Sequence, residues 1–153
     1  MILLNEDEFC YQVCTTQKEI ESARDNIRII YEGLGNNITV KTGLTELGSS
    51  IQIFLRDKDN NVIGGIIGHI FGGWIYIALL WIDERFRNKG HGTKLLKMIE
   101  NEAIKKGCTN SHLDTYSFEA RPFYEKNRYK LFAILEEYPK NHSKYFLKKN
   151  LEK

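Results

Sequence analysis

Residues 87–92 read Arg-Asn-Lys-Gly-His-Gly, and they stand between an apolar run, Trp74–Ile82, and an amphipathic helix expected from Thr93. A buried strand therefore feeds a short glycine-bearing loop, and the loop opens a helix. That order leaves several backbone N–H groups unpaired and pointing one way, with the positive end of the helix dipole behind them. It is a seat for a phosphate or pyrophosphate built from main-chain donors at 87–93. Gly90 and Gly92 carry no β-carbon, so a ligand can approach the backbone closely, and Arg87 and Lys89 add positive charge beside it. Asn88, His91 and Thr93 contribute main-chain groups to the same seat, with the His91 ring a bystander.

The spacing excludes two common phosphate-binding loops. A P-loop ends Gly-Lys-Ser/Thr, whereas Gly92 is followed by Thr93-Lys94, and no glycine lies at the required distance upstream. A dinucleotide-binding loop needs a third glycine where this chain has Leu95.

The 153 residues suffice for one domain, expected over 1–153, with a proper core. A net charge of +2 gives no case for nucleic acid as a partner. No apolar run approaches a membrane span, and the first residues lack the pattern of a secretion signal. Cys10, Cys14 and Cys108 are an odd number of thiols, expected to be reduced in a cytoplasmic protein, and no metal-ligand set is visible.

Along the chain, 9–14 reads as a first strand. Thr16 and Glu19 form a capping box for a helix carrying Ile20, Ala23, Ile27, Ile30, Tyr31 and Leu34, which Gly33, Gly35 and Asn36-Asn37 should end. Residues 36–49 read as a loop. A half-buried strand at 51–55, a turn at 57–61 and a glycine-rich strand, Val62–Phe71, lead through Gly72-Gly73 into Trp74–Ile82. This last run is apolar on both faces, hence central. The helix at 93–106 shows a stripe of Leu95, Leu96, Ile99 and Ala103, an expected Glu102–Lys106 pair on its polar side, and Gly107 at its end. A strand at 111–115, a short helix at 120–127 with Pro122 in its first turn, and strands at 129–135 and 144–149 complete a mixed α/β sheet with helices covering it. The Lys148, Lys149 and Lys153 tail reads as a solvated end.

This order, with the Arg-x-x-Gly-x-Gly loop, resembles the GNAT superfamily of acyl-CoA-dependent N-acetyltransferases. Four segments carry the likeness in sequence: the strand ending Leu80-Trp81-Ile82, the loop at 87–92, the amphipathic helix, and residues 120–129, Ala-Arg-Pro-Phe-Tyr-Glu-Lys-Asn-Arg-Tyr. The resemblance implies a mostly antiparallel seven-stranded sheet whose fourth strand, Trp74–Ile82, carries a bulge near its end and splays from the fifth at 111–115. The pantetheine arm of acetyl-CoA, the co-substrate, would enter that slot and pair with Leu80 and Ile82, while the loop holds the pyrophosphate. An amine attacks the thioester directly. The Ile82 N–H would stabilise the oxyanion, and Tyr124 would protonate the departing thiolate.

Three departures accompany the likeness. The fourth strand has no carboxylate where some branches carry a glutamate base; the corresponding region offers only Tyr76, with Asp83 and Glu84 just beyond. Ser117 stands where the family often has an asparagine, and reads either as a ligand of the cofactor arm or as a helix N-cap. The glycine before the sixth strand is Arg128, so either Arg128 or Asn127 takes a left-handed turn. The expected acceptor is a small amine or an exposed amino group, bordered by Glu136, Glu137 and His142. Many relatives are dimers, so self-association is implied too. The rival reading is a non-catalytic acyl-CoA-binding or regulatory module that kept the slot and lost the acceptor chemistry.

Overall fold

The computed structural model describes residues 2–6, 9–45 and 48–151. It falls into two compact units, Met1–Leu47 and Gly48–Lys153, each taken by itself below.

In the first unit, β1 (Ile2–Glu6) and β2 (Phe9–Val13) form an antiparallel two-stranded sheet of their own. The first strand expected from sequence is thus β2, and its partner β1 went unread. The capping box is present: the Thr16 hydroxyl accepts from the Glu19 N–H, and the Glu19 carboxylate accepts from the Thr16 N–H at 3.0 Å. It opens only a short α1 (Gln17–Ser22), which stops at Ala23; α2 (Arg24–Thr42) begins there. Helix α2 passes straight through Gly33, Gly35 and Asn36-Asn37, where an ending and a loop were expected. A helical glycine costs about 1 kcal/mol, which is a weak stop while helix formers follow. The real stop is Gly43, left-handed at φ 74°, whose N–H donates to Thr39 O at 2.8 Å.

The second unit holds β3 (Ser49–Arg56), β4 (Val62–Phe71), β5 (Trp74–Ile82), α3 (His91–Lys105), β6 (Asn110–Tyr116), α4 (Arg121–Lys126), β7 (Lys130–Glu136) and β8 (Ser143–Asn150). Its sheet has six strands in the order β3-β4-β5-β6-β8-β7, not seven, because β2 pairs with β1 instead. All neighbours are antiparallel except β5 and β6. The fold class expected from sequence, a mixed α/β sheet flanked by helices, stands with that corrected count.

Helix α3 packs against β3, β4 and β5, burying its stripe of Leu95, Leu96, Ile99 and Ala103 on Ile51, Ile66, Ile75 and Ile77. Glu100 lies in that stripe, one turn beyond Leu96, and is buried. It is neutralised there: Lys149 Nζ donates to both its oxygens at 2.9 and 2.7 Å, and the Tyr129 hydroxyl donates at 2.9 Å while also bonded to Ser111. Lys149 is therefore a structural cation rather than part of a solvated tail; Lys148 lies over the Phe132 ring, and Lys153 is outside the described residues. On the exposed side Glu102 pairs with Lys105 at 2.6 Å, one residue short of the expected Lys106, which has become the C-cap.

One irregularity positions everything that follows. Ile67 pairs with Leu79 but Gly68 pairs with Ile77, so Ala78 is bulged out of β5. A one-residue bulge reverses which side chains face inward. Ile75 and Ile77 are buried before it; after it, Leu80 and Ile82 pack on the core while Leu79 and Trp81 are 62% and 53% exposed. The strand is central, as expected, and within this unit α3 covers one of its faces.

Candidate acyl-CoA site

Strand β5 pairs with β6 only from Trp74↔Asn110 to Ile77↔Leu113. Beyond that point β6 continues beside β8 as far as Tyr116, and β5 continues beside β4 as far as Ile82, so the two part. The Asp83 N–H donates to Ile63 O at 2.9 Å across the Gly64↔Ile82 pair. In an antiparallel ladder that marks Gly64↔Ile82 as a non-hydrogen-bonded pair, whose own N–H and C=O groups point away from each other. The main-chain groups of Ile82, and of Leu80 two residues before it, therefore face the gap that β6 has left. The splayed slot implied by the sequence resemblance is present in the backbone.

At the end of β5, Asp83 caps a 3-10 turn, Glu84–Phe86, by accepting from the Arg85 N–H at 3.0 Å. The Arg85 side chain bonded to it holds the Asp83 carboxyl down at about 2. Asp83 is thus committed to an arginine and is a poor base. Arg87 turns its side chain back, and its Nε donates to Ile82 O at 2.8 Å. Asn88 and Gly90 are left-handed, at φ 61° and φ 80°. Gly90 is the N-cap of α3 and no side chain caps that end. Among the described residues, the N–H groups of residues 88–93 meet no protein acceptor. The loop that the sequence analysis expects to seat an anion thus keeps its main-chain donors unpaired among the described residues.

The two loop glycines serve different ends. A β-carbon on Gly90 would meet nothing within 4 Å, whereas one on Gly92 would lie 3.3 Å from the Phe123 ring. Gly92 therefore lets α4 approach the start of α3. On α4, Pro122 occupies the first turn, Arg121 is bonded to Glu125 at 2.8 Å, and Tyr124 packs edge-on against Phe123 and Tyr129. The helix closes with Arg128 left-handed at φ 71°, while Asn127 stays right-handed and donates its side-chain N–H to Phe123 O. That conformation costs a non-glycine residue about 1–2 kcal/mol.

These parts enclose a cleft of about 820 Å³. Leu80, Ile82, Arg87, Asn88 and Gly90 line it, as do His91, Gly92, Thr93 and Tyr124. Two expected members are elsewhere. Lys89 lies over the Phe86 ring at 5.5 Å. Ser117 is neither in the cleft nor a helix cap: its hydroxyl accepts from the Ser143 N–H at 3.2 Å and bonds to His142, tying β6 to the start of β8, and Ala120 is the N-cap of α4. Phe86, Phe118 and Lys126 also line the cleft and were missed. The interleaving of Phe86 with Arg85 and Lys89 was the available signal for the first; Lys126 had none.

Tyr124 is buried, with the proton of its hydroxyl held up to about 12 by burial and then by the charges of Glu119 and Asp114. It is a neutral donor throughout the physiological range. On the sheet face opposite α3, the Tyr76 hydroxyl donates to Asp114 Oδ1 at 2.7 Å, and Lys144 Nζ reaches Asp114 Oδ2 at 2.9 Å. His69 is bonded to Ser50, and His112 is stacked on Tyr76 with its imidazolium disfavoured by burial. Among the described residues no cluster of three metal-ligand side chains occurs, and no helix is long and apolar enough to cross a membrane.

Comparison with known proteins agrees with this geometry. An acetyltransferase from Bacillus cereus ATCC 14579 is 29% identical, with a TM-score of 0.73 over 92% of this chain and 96% of that one. The PaiA N-acetyltransferase of Thermoplasma acidophilum, solved in complex with coenzyme A, shares the fold at 20% identity and a TM-score of 0.59, over 89% of this chain and 80% of that one. In sequence, acetyltransferase Atu2258 of Agrobacterium fabrum (strain C58) is 42% identical over 50% of this chain, and the blasticidin-S acetyltransferase of Streptomyces morookaense 35% identical over 58%. The matches span 56% and 65% of those relatives' own lengths. The model of the acetyltransferase (GNAT) family matches residues 19–128, most of the chain and across the junction of its two units, and the chain belongs to that family.

Proposed function

We propose that residues 1–153 form one N-acetyltransferase domain that moves an acetyl group from acetyl-CoA to a primary amine of a small molecule. One observation carries this reading. The loop with its unpaired amides, Leu80 and Ile82 at the open edge of β5, and Tyr124 all line a single cleft. A diphosphate suits the loop. An amide-bearing arm suits a strand edge that needs a partner. The name of the blasticidin-S acetyltransferase relative supports a small-molecule acceptor.

In this reading the main-chain groups of Leu80 and Ile82 orient the arm, whose reactive end lies inward of Ile82, so the oxygen that becomes negative as the amine adds falls to a β5 main-chain N–H nearer the bulge than the Ile82 N–H expected from the sequence. Arg87, bonded to Ile82 O, fixes the Ile82–Asp83 peptide at the outer end of that strand edge. Tyr124 serves the departing sulfur. A phenol held near 12 is a weaker acid than a thiol of about 8.5, so it stabilises the thiolate by donating a hydrogen bond, and the sulfur takes its final proton from solvent.

The test is calorimetry with coenzyme A, followed by an amine screen with acetyl-CoA that reads free thiol. Tight coenzyme binding with thiol release is expected. Tyr124→Phe should slow turnover about ten- to a hundredfold and leave coenzyme affinity within about threefold. Coenzyme binding with no amine ever acetylated favours the binding module instead, and no coenzyme binding removes both readings.

A further inference from the structure

An amine of the lysine type is an ammonium at neutral pH, with a pKa of about 10.4, and something must remove its proton for transfer to occur. Strand β5 offers no free base, and the carboxylate that lines the cleft, Glu119, stands exposed on the turn before α4. Strand β5 has no carboxylate, and Asp83 is bound to Arg85.

The strand next to it does carry one. Tyr76 stands two residues before the bulged Ala78 and one pair short of where β5 and β6 part, on a pocket that it shares with His69, Trp74 and His112 next to the inner end of the slot. Asp114 is the first residue of β6 past its last pairing with β5. The hydrogen bond between the two side chains, at 2.7 Å, spans the apex of the splay. Both lie on the sheet face that α3 leaves open, since Ile75, Ile77 and Leu113 point to the α3 side. Within this unit α3 covers the other face, so the relay requires the acceptor to reach the face that carries Tyr76 and Asp114. From Ile82 inward to the apex is five residues, or roughly 16 Å of strand, so an extended arm lying along it brings its reactive end toward Tyr76.

We infer that Tyr76 and Asp114 form a proton relay in which β6 supplies, through a β5 hydroxyl, the carboxylate that β5 lacks. The relay rests on the acetyl-transfer reading above. A proton of the docked ammonium passes to the Tyr76 oxygen while the Tyr76 proton passes to Asp114 Oδ1, and the freed lone pair forms the N–C bond. The C–S bond then breaks with its electron pair on sulfur. The new amide nitrogen sheds its second proton to solvent, from which the thiolate takes one, and Asp114 releases its proton to solvent. Tyr76 is the catalytic group, and Asp114 is a positioning residue and proton sink acting through it. Lys144, held to Asp114 Oδ2 and surrounded by the Tyr116, Tyr138 and Phe146 rings, keeps the carboxylate turned toward Tyr76. His112, stacked on the Tyr76 ring at 4.9 Å, holds that ring in plane.

The experiment compares two acceptors of unlike basicity with acetyl-CoA: n-butylamine, an ammonium at pH 7, and hydroxylamine, largely uncharged there. Asp114→Asn and Tyr76→Phe should lower kcat/KM for n-butylamine by about 10²–10⁴-fold and for hydroxylamine by less than about tenfold, with coenzyme A affinity unchanged by calorimetry. Asp114→Glu should recover part of the n-butylamine rate. Equal losses with both acceptors, or a loss under about fivefold with n-butylamine, overturn the relay while leaving acetyl transfer intact. Thiol release by the unaltered protein with neither amine, coenzyme still bound, removes the transfer reading and the relay together.

Discussion

From Trp74 to Ile77 the groups of β5 that point toward β6 are bonded to it, whereas from Leu80 to Ile82 the corresponding groups face an open cleft. The residue types on either side of Ala78 are equally apolar, so composition does not separate the halves. What separates them is where β6 is anchored. In the closed half, Ser111 sits opposite Ile75 and bonds to Tyr129, which bonds to the buried Glu100 that also holds Lys149. In the open half β6 turns with β8, and Ser117 closes the turn against Ser143. The closed half is locked by a satisfied polar network, whereas in the open half Ile82 O is taken by Arg87 and the other outward groups of Leu80 and Ile82 face the cleft.

The sharpest way to break that contrast is Glu100→Ala. It leaves the Lys149 ammonium without its partner and strips one bond from Tyr129. Removing one member of such a buried pair costs about 3–5 kcal/mol, read by urea denaturation. Coenzyme A affinity of the folded protein should stay within about threefold. A collapse of affinity at unchanged stability would show that the halves are not separable.

A smaller effect comes from alkali. Tyr124 is held up to about 12 and Tyr129 is raised further still by burial and by Glu100. Free tyrosine titrates near 10, so the unfolded chain loses these protons first. Stability is full below pH 10 and falls as pH rises from 10 toward 12, by roughly 2–3 kcal/mol for Tyr124 alone. Tyr124→Phe should flatten part of that fall and leave the share of Tyr129. An identical alkaline slope in the variant would place the Tyr124 hydroxyl in solvent rather than between α4 and the sheet.

How legible each region was in the sequence follows from the same contrast. Strands β4 and β5, the loop and α3 were readable because period, punctuation and the glycine loop are local signals. The splay itself was not readable in spacing; it came through family resemblance, since strand pairing is long-range. The bulge in β5 came through the same resemblance, which did not place it at Ala78, and without its position the exposure of Leu79 and Trp81 could not be foreseen. Helix α2 was misjudged because Gly33 and Gly35 are weak breakers, while Gly43 is left-handed. Ser117 looked like a site residue because its position matched a family pattern, but its hydroxyl was free to bond the nearer Ser143 amide. Glu100 had a signal that went unused: a carboxylate one turn beyond Leu96, inside the apolar stripe, requires a buried cation.

The gentlest perturbation bears on the open half and compares its two loop glycines. Gly90→Val puts a β-branched residue at φ 80°, at a strain of about 1–2 kcal/mol, and aims its side chain into space that only a ligand would fill. Coenzyme A affinity should fall about ten- to a hundredfold by calorimetry while the fold persists. Gly92→Ala has an ordinary helical backbone and meets protein instead, with its methyl 3.3 Å from the Phe123 ring. Relief requires α4 to shift, and Tyr124 shifts with it. This variant should bind coenzyme A within about fivefold of the unaltered protein and lose turnover instead. If both substitutions weakened binding alike, Gly92 would be a ligand contact and not the hinge between α3 and α4. If neither did, the free amides at residues 88–93 would not be the diphosphate seat.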